Sequence, residues 1–198
     1  YGPHARHRLD VYRPDDAVDA PTVLFLYGGA WQRGRRQTYR FLGASLASAG
    51  VVCVVADYRV WPEVGFPAFL HDSARATAWT KAHIAEHGGD PKRLFAMGHS
   101  AGAYNVAMLA LDPSYLGEVG MEAKRDLRGV IGLSGPYDFL PLHMEVLKEI
   151  FGPEDRLPRT QPINFVTDRA PPMFLASGGS DTTVLPANTE RLAAKLAD

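Results

Sequence analysis

Five consecutive residues, Gly98-His99-Ser100-Ala101-Gly102, place a serine between two glycines. The apolar run Arg93–Met97 leads into this segment, and the helical pattern Ala101–Leu111 leads out of it. In this context G-x-S-x-G forms a tight strand-to-helix turn that lifts the serine hydroxyl above a sheet. The helix amino terminus then stabilises developing negative charge. The segment predicts that Ser100 is the nucleophile of an acyl transfer; the alternative is an ordinary turn of small residues.

A second glycine turn, Tyr27-Gly28-Gly29-Ala30-Trp31, directly follows the apolar run Thr22–Tyr27. Adjacent glycines let the backbone turn sharply and present N–H groups to a ligand. Because this turn precedes the serine turn, it is the natural second half of an oxyanion hole. We expect the N–H groups of Gly29, Ala30 and Ala101 to bind the oxyanion, and Trp31 and His99 to line the substrate pocket. The alternative for this turn is a glycine turn with a packing tryptophan.

The acid of a catalytic triad on this kind of sheet follows the serine in the chain. Asp181 stands at such a position, because it follows the buried run Met173–Ala176 and a loop of small residues. A carboxylate there would orient an imidazole and stabilise its protonated form. The alternative role for Asp181 is to cap the next helix. Asp138, which follows the run Gly129–Leu133, is the alternative acid, although a turn or cap role is favoured for it.

A histidine base is the missing part of the triad. The chain has seven histidines, and none lies in Thr182–Asp198. His99 neighbours the nucleophile, so its side chain should point away from the hydroxyl. We expect the other six to be surface or packed residues: His4, His7, His71, His83, His87 and His143. The triad histidine is therefore expected beyond Asp198, and these 198 residues alone are expected to be almost inactive.

Short β-branched runs alternate with helical patterns along the chain, which predicts an α/β domain with a mostly parallel sheet covered by helices on both faces. The predicted strands are Arg8–Tyr12 (at an edge), Thr22–Tyr27, Val51–Ala56, Arg93–Met97, Gly129–Leu133 and Met173–Ala176. The predicted helices are Thr38–Ala49, Pro67–His87, Ala101–Leu111 and Val184–Ala197. Residues 1–198 are interpreted as one domain. A proline-rich insertion at about 139–170 contains a short predicted helix, Leu142–Ile150. This insertion is expected to shape a pocket for short acyl groups.

The motifs together resemble the carboxylesterase branch of the α/β-hydrolases, which includes hormone-sensitive-lipase-like esterases and kynurenine formamidase. Besides the serine turn, the matching pieces are Leu9–Tyr12, Asp57-Tyr58-Arg59 and Phe66-Pro67-Ala68. The family's oxyanion loop reads His-Gly-Gly-x-Trp or His-Gly-Gly-Gly, and Tyr27 replaces that histidine here. The resemblance implies the α/β-hydrolase fold, lacking its final strand and helix in this chain, and hydrolysis of carboxylic esters, or of aryl amides and formamides, without a cofactor.

Composition limits the partners. Lys and Arg total 21 against 22 Asp and Glu, for a net charge of −1, so no strong field attracts nucleic acid or an anionic membrane. No ligand spacing indicates a metal site. The lone Cys53 lies in an apolar run and suggests a buried thiol in a reducing, cytoplasmic compartment. We expect a small-molecule ester or amide substrate; a homodimer is left open. The alternative function is a non-catalytic small-molecule-binding protein on the same fold.

Overall fold

A computed structural model describes all residues from Tyr1 to Asp198. Six strands form one sheet in the order β1-β3-β2-β4-β5-β6. Their bounds are β1 Leu9–Tyr12, β2 Ala20–Leu26, β3 Val52–Ala56, β4 Gly89–His99, β5 Gly129–Leu133 and β6 Met173–Ala176. β1 pairs with β3 antiparallel at one edge, and every other pairing is parallel. The predicted α/β class and the edge position of the first strand are confirmed.

The register brings the functional loops to one edge of the sheet. A single row of paired residues runs from Leu26 through Gly98 and Gly132 to Leu175. Because these strands are parallel, their carboxyl ends meet at the same edge, where open α/β sheets bind ligands. β3 is apolar throughout, and all five of its residues are buried. Cys53 lies among them, and burial raises the pKa of its thiol to about 12, so it behaves as a core residue.

Seven helices accompany the sheet. Their bounds are α1 Arg40–Ser48, α2 Ala68–His83, α3 Ala101–Leu111, α4 Pro113–Gly117, α5 Ala123–Asp126, α6 Glu145–Phe151 and α7 Ala187–Ala197. Every residue of α3 is buried, because this helix lies against β4 and β5 and also contacts α2. The short helices α4 and α5 were not predicted. None of the helices combines the length and apolar character that a membrane crossing requires.

Four of the predicted helices are shorter in the structure, among them Thr38–Ala49 and Leu142–Ile150, and the other two show the reason. The helix predicted from Pro67 ends at His83 and continues only as a 3-10 turn, Ile84–His87, which Gly88 closes with φ of 79°. The last helix begins at Ala187 rather than Val184, because Pro186 lies at its amino-terminal boundary. Apolar spacing continues past the true helix boundaries in both cases, so spacing alone overestimates the length.

The insertion is anchored by aromatic packing. It contains α6 and two 3-10 turns, Glu154–Thr160 and Pro162–Phe165. The ring of Phe151 lies 4.8 Å from Trp31, edge on at 88°, and 5.3 Å from Phe139. The hydroxyl of Tyr104 on α3 donates a 2.8 Å hydrogen bond to the Thr160 carbonyl. These contacts hold the insertion over the carboxyl edge of the sheet.

Candidate active site

The backbone of Ser100 is strained. Its φ of 53° and ψ of −120° lie in a region that residues with a side chain rarely adopt. A Cβ built on Gly98 would lie 2.2 Å from the Gly102 carbonyl oxygen, and one built on Gly102 would lie 2.0 Å from the Leu26 oxygen. Only glycine therefore fits at either position. The packed backbone on both sides holds the serine in its strained turn between β4 and α3.

The loop after β2 approaches the serine closely. Gly29, Ala30 and Trp31 have consecutive positive φ angles of 135°, 53° and 57°. A Cβ on Gly28 would lie 2.9 Å from Cβ of Ser100, so the absence of a side chain there permits the approach. The N–H groups of Gly29 and Ala30 donate no backbone hydrogen bond.

The N–H of Ala101 completes this set of free donors. Ala101 is the first residue of α3, so its N–H has no acceptor within the helix. The positive end of the helix dipole adds to the field at the same place. Backbone donors without partners thus surround Ser100 from two chain segments.

Asn105, which the sequence did not single out, joins these two segments. Its Oδ1 accepts a 3.1 Å hydrogen bond from Nε1 of Trp31, and its Nδ2 donates to Oγ of Ser73 at 3.3 Å. Asn105 is fully buried and Trp31 nearly so. A buried asparagine one helical turn after the nucleophile was a usable signal, because such an amide needs a specific partner.

Tyr27 holds the base of the oxyanion loop. Its hydroxyl donates a 2.8 Å hydrogen bond to Oδ1 of Asp57 and accepts one of 3.1 Å from Arg6. Arg36, beyond the loop, donates to both Asp57 oxygens at 2.7 Å, once from its backbone and once from its guanidinium. Burial, with the charge of Asp57, raises the pKa of Tyr27, so the hydroxyl stays protonated. Tyr27, Asp57 and Arg36 therefore clamp both ends of the loop.

Asp181 lies in the loop after β6, at the same sheet edge as Ser100. Its Oδ1 accepts hydrogen bonds from the N–H groups of Thr183 at 2.9 Å and Val184 at 3.0 Å. These bonds lower the pKa of Asp181, and both leave Oδ2 without a backbone donor. α7 begins only at Ala187, so Asp181 caps the turn after β6 rather than that helix.

The imidazole of His99 lies within electrostatic reach of Asp181. Desolvation lowers the pKa of His99, and the negative charge of Asp181 partly opposes that shift. The expectation that His99 lines the substrate pocket stays a prediction. His99 is exposed at the end of β4 and is not among the residues that line the cavity beside Ser100.

A cavity of about 420 Å³ opens beside Ser100. Ala30, Trp31 and Ala101 line it with Ser100, whereas Gly29, His99 and Asp181 do not. Residues of the insertion and of the segment after Asp181 form its remaining walls. A second groove, of about 890 Å³, lies against the insertion but contacts none of the residues around Ser100.

No imidazole is hydrogen-bonded to Ser100. The histidines that pair with carboxylates are His4 with Glu63, His7 with Asp72, His71 with Glu118, and His83 with Glu86. His143 is the histidine that lines the cavity. Asp138, the alternative acid, also lines it, but its Oδ2 forms a 2.6 Å ion pair with Arg191. The structure thus places Ser100, Ala30 and Ala101 at one cavity and leaves the base unassigned.

This fold and this serine turn define an α/β-hydrolase. The chain belongs to the BD-FAE family, whose model matches residues 9–196. The resemblance to the carboxylesterase branch of the α/β-hydrolases is confirmed by this match and by the esterases among the relatives described next.

Two relatives show the extent of the similarity. Esterase LipC of Mycobacterium tuberculosis is 34% identical over 211 residues, which cover 96% of this chain and 52% of that protein. The isoprenylcysteine alpha-carbonyl methylesterase ICME of Arabidopsis thaliana is 29% identical, over 93% of this chain and 48% of that protein. The chain thus spans about half the length of these curated relatives.

A solved structure shares the fold over nearly the whole chain. The apo form of Thermogutta terrifontis esterase 2 superposes with a TM-score of 0.79 at 27% identity, covering 96% of this chain and 73% of that one. The same esterase phosphoramylated by tabun gives a TM-score of 0.80 at 25% identity.

Proposed function

We propose that this protein is a serine hydrolase that cleaves carboxylic esters of small molecules through an acyl-enzyme on Ser100. The observation that carries the proposal is the strained serine at the cavity wall, faced by a loop whose N–H groups have no partner. Strain of this kind persists only where the surrounding structure enforces it, and it concentrates at functional sites.

The chemistry follows from the positions of the donors. Ser100 Oγ attacks the ester carbonyl, and the carbonyl oxygen becomes an oxyanion that accepts hydrogen bonds from Gly29, Ala30 and Ala101. The triad histidine takes the Ser100 hydroxyl proton during this attack and passes it to the alcohol, which leaves as the intermediate collapses with the acyl group on Ser100. Water then attacks the acyl carbonyl by the same route and releases the acid. No cofactor is needed for either half-reaction.

Asp181 is proposed as the acid of the triad. Its Oδ2 receives no backbone N–H, and its lowered pKa suits a carboxylate that stays ionised while it orients an imidazole. Asp138 is less suited, since Arg191 already occupies its carboxylate. The histidine that completes the triad is not assigned to a residue of this chain.

The relatives support an ester substrate. LipC and Thermogutta terrifontis esterase 2 are esterases by name. Structures of the latter have been solved with butyrate bound and after phosphonylation by sarin. Extension of the substrate range to aryl amides and formamides is part of the proposal, since an acyl-enzyme and an oxyanion hole serve both bond types.

Covalent labelling tests the proposal. In the protein expressed from its native gene, a fluorophosphonate probe is expected to add mass to the tryptic peptide that contains Ser100. Ser100→Ala should abolish labelling, whereas Ser177→Ala, in the loop after β6, should retain it. Labelling that is unchanged in Ser100→Ala would reject the nucleophile. A native protein that binds esters but neither labels nor turns them over would instead support the binding-protein alternative.

A further inference from the structure

Two large apolar side chains are exposed at the mouth of the cavity beside Ser100. Met144, just before α6, is 57% exposed, and Leu185, just before α7, is 59% exposed. Both also line the cavity that contains Ser100. Val18, Phe41 and Phe174 are the other large hydrophobic residues with comparable exposure, and none of them touches this cavity. The apolar surface of the cavity therefore continues outward to Met144 and Leu185.

The two residues come from different parts of the chain. Met144 belongs to the insertion and Leu185 to the segment that follows the proposed acid. Between Ser100 and this mouth, the walls are largely apolar. They include the side chains of Trp31, Phe139, Leu140, Leu142, Leu147 and Val184. An apolar path thus leads from the nucleophile to solvent.

The cavity carries no unpaired fixed charge. Its charged side chains, Asp138 and Arg191, neutralise each other through a 2.6 Å ion pair. Arg191 also donates a 2.7 Å hydrogen bond to the Asp138 carbonyl, which commits a second of its nitrogens. A charged ligand arm would lose its hydration here without gaining a counter-ion. The lining therefore favours an uncharged arm.

We infer that this site takes esters bearing an uncharged apolar arm that extends from the Ser100 carbonyl site and lies between Met144 and Leu185. The inference rests on the proposed function for the identity of the ester, but the arm's binding is a property of the cavity. This inference replaces the expectation that the pocket takes only short acyl groups. An open apolar rim binds a longer arm, and no closed tunnel is needed for that. Met144 and Leu185 are then specificity-determining residues.

Equilibrium binding of linear alkan-2-ones tests the inference without requiring turnover. These ketones carry a carbonyl and one apolar arm, and they cannot be hydrolysed. Calorimetric dissociation constants are measured in the Ser100→Ala protein for arms of increasing length. Each methylene taken out of water is expected to tighten binding by up to about fourfold.

The decisive variants change the mouth only. Met144→Ser combined with Leu185→Ser should weaken binding of the longest ketone about tenfold or more and leave the shortest unchanged, since only the long arm reaches the rim. Val18→Ser is the matched control, because it removes an 81% exposed apolar side chain away from the cavity. Thermal melting confirms that all variants fold.

Other outcomes overturn the inference. It is wrong if the longest ketone binds the double variant as tightly as it binds the control, or if affinity does not rise with arm length. A linear keto acid of equal length is expected to bind at least about tenfold more weakly, because its carboxylate finds no free cation. Tighter binding of the keto acid would show that Arg191 is available and would reject the uncharged arm. If the ketones bind as expected but Ser100 does not react with the fluorophosphonate probe, the proposed hydrolase activity is rejected and the inferred specificity of the cavity is retained.

Discussion

The indole Nε1 of Trp31 donates a 3.1 Å hydrogen bond to Oδ1 of Asn105, so the glycine loop after β2 is tied directly to α3, the helix that follows Ser100. The two residues are 74 positions apart in the chain and both are buried. The bond sets the distance between the N–H groups of the loop and that of Ala101. An oxyanion hole built from two segments needs such a link, because displacement of a donor by about 1 Å can cost about a hundredfold in rate.

Asn105→Ala is expected to lower kcat for ester hydrolysis about tenfold or more with a smaller effect on KM, since misplaced donors weaken transition-state binding. It also leaves the buried Trp31 N–H without an acceptor, which costs about 1–3 kcal/mol of stability. Steady-state kinetics and urea unfolding measure both effects in the native protein. Asn164→Ala, at an exposed site, is the control. Equal kinetics for the two variants would contradict the proposed link.

Tyr27→Phe removes only the hydroxyl that binds Asp57. We expect a loss of about 1–2 kcal/mol in the free energy of unfolding, because the hydrogen bond is buried and its acceptor is charged. Tyr39→Phe is the matched control, since Tyr39 stacks on Tyr27 but its hydroxyl forms no hydrogen bond within the chain. Urea denaturation of both variants measures the two losses in the free energy of unfolding. If the two lose the same stability, the Tyr27–Asp57 bond does not clamp the loop.

Gly102→Ala should disrupt the nucleophile turn. The added Cβ would come within 2.0 Å of the Leu26 carbonyl oxygen, and backbone cannot move aside cheaply. We expect a destabilisation of about 1–3 kcal/mol or more and loss of fluorophosphonate labelling at Ser100. Gly117→Ala places the same methyl group in open space and should leave melting temperature and labelling unchanged. A well-folded, fully reactive Gly102→Ala protein would show that the turn tolerates a side chain.

The buried pair of His7 and Asp72 predicts acid sensitivity. Burial lowers the pKa of His7 below 6.5, against the opposing effect of Asp72, so the folded protein keeps this imidazole neutral where the unfolded chain protonates it. The free energy of unfolding should therefore fall as the pH drops below about 6.5. The free energy of unfolding should fall further below pH 3.8. Hydrogen bonds from Arg59 lower the pKa of Asp72 despite its burial, so unfolding takes up a proton in this range.

Urea titrations from about pH 2 to 8 measure this dependence, with the range set by the ordinary pKa values of aspartate and histidine. His7→Gln should flatten the curve just below pH 6.5, since the titrating group is gone while an N–H donor for Asp72 remains. His143→Gln, at an exposed histidine, should leave the shape of the curve unchanged. An unaltered slope in His7→Gln would assign the acid sensitivity to another group.

A protein made of residues 1–198 alone is expected to hydrolyse p-nitrophenyl esters about a millionfold more slowly than an intact triad would, because no imidazole of the chain binds Ser100 Oγ. Mass spectrometry confirms the chain length, and initial rates give the activity. Ordinary enzymatic rates would mean that one of the seven histidines is the base. His143, in the cavity, and His99, beside Asp181, would then be replaced by alanine first.

Local patterns were sufficient to locate the strands and the serine turn. Gly129–Leu133 and Met173–Ala176 were predicted with their exact bounds, because each is a short apolar run, although Phe174 on the edge strand β6 is 63% exposed. The serine turn was equally readable, since its glycines and its flanking strand and helix are contiguous in the chain. The short helices Pro113–Gly117 and Ala123–Asp126 were missed, because about one turn carries too little periodicity to be recognised.

Only the tertiary structure decided which distant residues meet. Asn105 reaches Trp31, Tyr27 reaches Asp57, and Met144 faces the same cavity as Leu185, although sequence separation says nothing about these contacts. Residue types and local spacing determine which groups can perform chemistry. Strand order and packing determine which of those groups share a site, because parallel strands bring their carboxyl ends together from all parts of the chain.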